Sequence, residues 1–121
     1  MTKPAVFLSV LFYGYIHSLR KCNKMDSDKN ILRKRICFYG RVQAVGFRFQ
    51  AQHAAKRNGV TGWVKNEYDG SVTMEIQGTE KQINAVVAEI DCDPYIRIER
   101  MKTTWLDPKP DEKGFRVLRN W

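Results

Sequence analysis

The sequence predicts an α+β fold in the order β-α-β-β-α-β with a short terminal strand, and three observations carry that expectation. Alternating apolar residues mark strands around Ile36, Val64 and Met74. Apolar residues at three- and four-residue spacing mark one helix from Phe47 and another after Thr79. Clusters of Asn, Asp, Gly and Pro fall between these segments, where the chain must turn.

The regular pattern begins at Arg33. Ile36 and Phe38 alternate with Cys37 and Tyr39, giving a first strand with bulk on both faces. Phe47, Ala51, Ala54 and Ala55 then occupy one face of a helix whose alanines permit close packing on a sheet, and Asn58-Gly59 is its natural stop. Val60 to Asn66 reads as the second strand, and Tyr68-Asp69-Gly70 as the hairpin turn into the third. There Val72, Met74 and Ile76 point one way while Thr73, Glu75 and Gln77 point the other. Thr79-Glu80-Lys81-Gln82 has the form of a capping box, opening a helix with an apolar stripe of Ile83, Val86, Val87 and Ile90 that Cys92-Asp93-Pro94 ends. Tyr95 to Leu106 reads as the fourth strand. Its apolar face shifts from Ile96 and Ile98 to Met101 and Trp105, and a bulge near Arg100 accounts for the shift. After the turn-rich Asp107 to Gly114, Phe115, Val117 and Leu118 close the sheet. This order is the ferredoxin-like plan, an antiparallel sheet with both helices on one face.

The stretch with chemical content is Gly40-Arg41-Val42-Gln43-Ala44-Val45-Gly46-Phe47-Arg48, where a strand runs into a Gly-bearing loop and a helix opens behind it. Backbone N–H groups in such a loop and in the first helical turn lack intrahelical partners and can point at a phosphate oxygen, with the helix dipole adding to the attraction. Arg48 supplies a planar guanidinium able to grip two phosphoryl oxygens.

This run resembles the acylphosphatase signature, an apolar strand followed by G-x-V-Q-G-V-x-F-R. The likeness continues through Gly62-Trp63-Val64-Lys65-Asn66 and Asp69-Gly70-Ser71-Val72, covering residues 33–121. The resemblance implies that Arg48 binds the phosphate and that Asn66 orients the attacking water. It implies that the backbone of Gln43, Ala44, Val45, Gly46 and Phe47 forms the phosphate-binding loop. The activity it implies is hydrolysis of the carboxyl–phosphate bond of small acyl phosphates to carboxylate and inorganic phosphate, with no cofactor and no metal. One position departs from the pattern: Ala44 stands where the family has glycine. At positive φ its methyl group costs about 1 kcal/mol, whereas at negative φ the departure is harmless.

Chain lengths are compatible with that pairing. A helix from Phe47 to Asn58 advances about 16–18 Å and an extended stretch from Val60 to Asn66 returns about 20 Å, which brings Asn66 level with the loop. A carboxylate leaving group departs without protonation, so positioning and charge suffice, and neither a strong general acid nor a metal is compulsory.

At 121 residues and 43% hydrophobic content the chain fits one core. The formal charge of +8 divides into +3 over residues 1–32 and +5 over residues 33–121, so both parts favour anionic partners. Three widely spaced cysteines, Cys22, Cys37 and Cys92, suggest neither a disulfide framework nor a zinc site and suit a reducing cytoplasm. Residues 1–32 are expected to be an extension, disordered or outside the core, with Met25 as a candidate true start; a surface-packing helix and a targeting segment are the alternatives. The apolar run from Ala5 to Tyr13 is shorter than the ~20 residues a bilayer span needs. A monomer with no membrane partner is expected.

Bland readings stand beside these. A lone Arg48 is more often a surface charge, Asn66 before a hairpin is commonly a turn residue, and Gly40 and Gly46 can simply relieve backbone strain. His53 and His17 do not suggest a metal. The alternative function is a non-catalytic basic module binding RNA or another polyanion on its sheet. It would want exposed aromatics at strand centres, and no RNP-like run is present, so nucleic acid is not expected.

Overall fold

The computed structural model describes residues 30–119, so the expected extension over residues 1–32 lies almost wholly outside the described residues. Five strands and two helices follow one another: β1 (Leu32–Arg41), α1 (Phe47–Asn58), β2 (Thr61–Asn66), β3 (Val72–Gly78), α2 (Glu80–Asp91), β4 (Arg97–Leu106) and β5 (Phe115–Leu118). The sheet order is β4-β1-β3-β2-β5. Four strands pair antiparallel, as expected, and the short terminal strand joins β2 in parallel, so the whole sheet is mixed.

Strand parity divides the sheet into two faces. Ile36, Phe38, Val64, Val72, Met74 and Ile76 face the helices and meet Phe47, Ala51, Ala54, Ala55, Ile83, Val86 and Ile90 in one core. The capping box is present: Gln82 N donates to Thr79 Oγ1 at 3.1 Å, and Thr79 N donates to Gln82 Oε1 at 2.8 Å.

Strand starts differ from expectation by one or two residues, and the hydrogen bonds say why. Val60 N donates to Ala55 O at 3.1 Å, closing the C-terminus of α1 around Gly59 at φ 70°, so β2 begins one residue later. Around Pro94, Tyr95 N donates to Asp93 Oδ1 at 2.8 Å and Ile96 N to Asp93 O at 3.3 Å, so this turn holds the chain until Arg97. The expected irregularity in β4 is real. Tyr39 pairs with Arg100 and Gly40 with Ile98, leaving Glu99 as the extra residue. Parity flips there, and Met101, Thr103 and Trp105 take the helix-facing side, opposite Phe38, Ile36 and Lys34. Gly40 is required at this bulge: a Cβ at its φ of 129° would lie 2.4 Å from Arg97 O.

The face away from the helices is also covered in its middle, and all seven residues of β3 are buried. Leu106, Arg33, Gln77 and Thr61 form one row across four strands, and Phe115 pairs with Gly62 beside its end. The connection from β4 to β5 travels along this row from one sheet edge to the other. Gln77 grips it from both sides, accepting from Lys109 N at 2.7 Å and donating to Lys109 O at 2.9 Å. Arg33, fully buried, donates to Glu112 at 2.6 Å, to Glu75 at 2.9 Å and to Gln77 at 3.1 Å. Arg35 holds the other Glu75 oxygen at 2.8 Å. A buried guanidinium of this kind is tolerable only because its donors are met.

Candidate active site

The loop between β1 and α1 is pinned at both ends by buried apolar side chains. Val42 enters the core before it and Phe47 after it, with the Phe47 ring 4.8 Å from that of Phe38. Each such burial contributes about 1.5–3 kcal/mol relative to exposure, enough to fix where the loop begins and ends. Between these anchors the backbone turns twice through the left-handed region, at Ala44 (φ 61°) and at Gly46 (φ 83°). Alternation of this kind directs successive N–H groups inward and forms an anion-binding concavity. Ala44 is the one described non-glycine residue at positive φ, so the methyl group stands where strain is expected.

Gly46 is also the N-cap of α1. It offers no side-chain cap, and the first turn carries no acidic residue. The amides and the positive end of the helix dipole are therefore left for an outside anion.

A second tie was not anticipated from sequence. The Gln43 side chain leaves the loop and donates through Nε2 to Glu67 O at 2.7 Å and to Ser71 O at 2.8 Å. Those carbonyls belong to the β2–β3 hairpin, which is itself closed by Glu67 N to Ser71 O at 2.8 Å and by Asp69 Oδ1 accepting from Ser71 Oγ at 2.6 Å. These bonds from the Ser71 hydroxyl and backbone hold the Asp69 carboxyl below its ordinary range. Asn66 ends β2 immediately before this hairpin, so Gln43 connects the loop to the segment that carries Asn66. On the other side, Gln52 of α1 donates to Phe115 O at 3.3 Å and holds β5 against the helix.

One cavity of about 740 Å³ results, and Ala44, Gly46, Phe47, Arg48 and Asn66 all line it. Arg48 is half-buried in the first turn of α1, and Asn66, half-buried as well, comes from the end of β2. The two residues singled out from sequence are thus brought together from eighteen positions apart. Of the expected loop residues, Gln43 and Val45 are half-buried beside it without lining the cavity itself. Arg116 and Arg119 also border the cavity, and among the described residues no aspartate or glutamate does. An arginine, a set of uncapped amides and a neutral amide around one space can bind a phosphoryl group and hold a water beside it. His53 takes no part: it is exposed and packs its ring 4.2 Å from that of Phe49.

Comparison with known proteins agrees with this fold. A model of the acylphosphatase family matches residues 34–117. The acylphosphatase of Geobacillus thermodenitrificans is 41% identical over 87 residues, which cover 71% of this chain and 93% of that protein. The crystal structure of acylphosphatase from Bacillus subtilis superposes with a TM-score of 0.67 at 31% identity, covering 72% of this chain and 98% of that one. Full-length HypF in its phosphate- and nucleotide-bound form contains a similar unit, at 28% identity and a TM-score of 0.66, in 12% of its length.

Proposed function

We propose, from the premise that this chain belongs to the acylphosphatase family, a division of labour in which Arg48 and the loop amides hold the phosphoryl group and Asn66 positions the water. The protein is an acylphosphatase: it hydrolyses acyl phosphates to a carboxylate and inorganic phosphate. The observation that carries the assignment of roles is that Arg48, Asn66 and the twice-turned loop line a single cavity.

In this mechanism the phosphoryl oxygens receive the Arg48 fork and the backbone N–H groups around Ala44 to Phe47. These donors match the charge that the equatorial oxygens carry in the transition state. Asn66 accepts a hydrogen bond from the water through its amide oxygen and aims the water oxygen at phosphorus, opposite the leaving oxygen. The new P–O bond forms as the bond to the acyl oxygen breaks. The acyl group departs as carboxylate, and the water proton passes to the phosphate product or to solvent. No covalent enzyme intermediate arises, and the proposal includes no metal. Cytoplasmic residence and a monomeric state belong to the same proposal; the free thiols of Cys37 and Cys92 suit a reducing compartment, and no helix among the described residues is long and apolar enough to cross a membrane.

A sheet-face binder of RNA is not favoured, because the central strand β3 is buried on both faces. Purified protein is expected to release phosphate from acetyl and benzoyl phosphate at a rate that EDTA leaves intact and inorganic phosphate inhibits. Inactivation by EDTA that added Mg²⁺ reverses would replace this mechanism with a metal-assisted one.

A further inference from the structure

The sheet ends at β4, and that edge carries features the hydrolytic reaction does not use. β4 is 10 residues long and pairs with β1 alone among the described residues, so every second residue turns its N–H and C=O outward with no ladder to join. The bulge at Glu99 interrupts the strand near its start and leaves residues 100–106 as a regular run. The two sides of this run differ. Arg100 and Lys102 project from the face away from the helices, both exposed and neither in an ion pair among the described residues. The Arg100 guanidinium carbon lies 4.0 Å from the centre of the Tyr39 ring, a stacking that fixes its plane and leaves its N–H edge open to a carboxylate. Met101 and Trp105 project from the helix-facing side. Met101 is half-buried, and Trp105 is 51% exposed even with Lys34 Nζ 4.7 Å from the centre of its ring.

We infer that this edge receives an extended segment of a partner protein in which carboxylate and apolar side chains alternate. Added beside β4, such a segment completes the outward ladder, and strand parity carries one set of its side chains to Arg100 and Lys102 and the other to Met101 and Trp105. Charge selects the occupant. A second copy pairing β4 with β4 about a two-fold axis would bring the same cations together on one face, in a chain whose formal charge is already +8. A nucleic acid would meet the cations but leave the ladder and the Trp105 side unused. The cavity lies toward the other edge of the sheet: the loop, α1, β2 and β5 line it and β4 does not, so a docked partner leaves the active site open.

The probe is a blocked, fluorescently labelled peptide of alternating glutamate and valine, long enough to span residues 100–106, titrated with the full chain at low ionic strength. Binding is expected, and it should weaken severalfold as salt rises to about 0.15 M. Lys102→Glu should weaken it at least about tenfold, because it sets a carboxylate against the peptide's own, while Tm and acetyl phosphate hydrolysis stay unchanged. Two further peptides, N-methylated at every valine or at every glutamate, separate strand addition from loose electrostatic attachment. One should lose binding and the other keep it, since only one edge of an added strand faces β4. Equal loss or equal retention in the two, binding that survives Lys102→Glu, or no binding at about 1 mM peptide overturns the inference. Sedimentation of the unliganded protein as a dimer that Trp105→Ser dissolves overturns it in favour of a second copy. Tighter binding of a single-stranded oligonucleotide, abolished by Lys102→Glu, overturns it in favour of nucleic acid. Saturating peptide should leave kcat/KM on acetyl phosphate unchanged, and competitive inhibition would place the peptide in the cavity and overturn its seat on β4.

Discussion

Replacing Ala44 with glycine is the most direct probe of the loop. Ala44 sits at φ 61°, lines the cavity and is solvent-exposed, so no packing is lost when its methyl group is removed. An L-residue with a Cβ costs about 1–2 kcal/mol in the left-handed region, a cost glycine does not carry. Glycine also adds freedom to the unfolded chain, which takes back about 0.4–1 kcal/mol. The balance is a net stabilisation of about 0.5–1 kcal/mol, which raises Tm by about 2–8 °C in a domain of this size. A kinetic consequence follows from the same atom. If the methyl group keeps the phosphoryl oxygens from the amides, its removal should raise kcat/KM on benzoyl phosphate by up to about fivefold, the factor that about 1 kcal/mol allows. Scanning calorimetry, phosphate titration and steady-state kinetics on this one variant measure all three effects. A lower Tm with unchanged phosphate affinity would refute the reasoning, because it would mean that residue 44 is at negative φ in solution and that alanine is harmless there.

Arg48→Lys should nearly abolish turnover while leaving Tm in place, since an ammonium cannot reproduce the two-pronged grip; retention of most of kcat on acetyl phosphate would exclude the role. Asn66→Ala should lower kcat far more than it weakens inorganic phosphate binding, and equal loss of both would contradict the division between anion and water. Gln43→Leu should leave the hairpin carbonyls of Glu67 and Ser71 short of a donor, lowering Tm by several degrees and kcat with it; an unchanged kcat would show that the loop holds its place without this tie. In acid, Glu75 and Glu112 are the sensitive groups around the buried Arg33. Burial pushes both carboxyls upward, but the guanidinium of Arg33, and for Glu75 that of Arg35 as well, outweighs it and holds them below the ordinary 4.5. The unfolded chain therefore binds more protons in this window, so stability is fully present above about pH 4.5 and is lost as pH falls through the lowered folded-state values. Glu112→Gln should flatten that loss in acid denaturation curves, and an unchanged acid profile would show that the pair contributes nothing.

Much of this was written locally. The bulge in β4 announces itself because the apolar side changes parity between Ile98 and Met101, and only one extra residue, Glu99, can do that. The capping box and the Gly59 stop are likewise set by residues a few positions apart. The strand–loop–helix pattern points at Arg48 and the resemblance at both Arg48 and Asn66, and the out-and-back path of α1 and β2 does bring the two to one cavity. What stayed hidden depends on distant partners. Arg33 reads as an ordinary charged residue at a strand start, and its burial becomes intelligible only with acceptors 42, 44 and 79 positions away. The Gln43 side chain finds backbone carbonyls 24 and 28 residues on, and no periodicity marks a carbonyl as an acceptor. The parallel pairing of β5 was equally hidden, because four residues carry no signal of direction.

The path from β4 to β5 has a consequence for which changes in chain length this protein tolerates. Leu106 and Phe115 are separated by four strand spacings, about 19 Å at ~4.8 Å each, and nine residue steps reach about 30 Å when extended. The slack is therefore about 11 Å, or roughly three residues. Surface connections are ordinarily where a protein lengthens or shortens without harm. Here a deletion of three residues would draw the segment taut and lift Lys109 from Gln77 or Glu112 from Arg33, stranding a buried guanidinium. An insertion between 109 and 112 would put the same two grips out of phase, whereas the β2–β3 turn at Tyr68 to Gly70, exposed throughout, has room to grow only on the side away from Gln43.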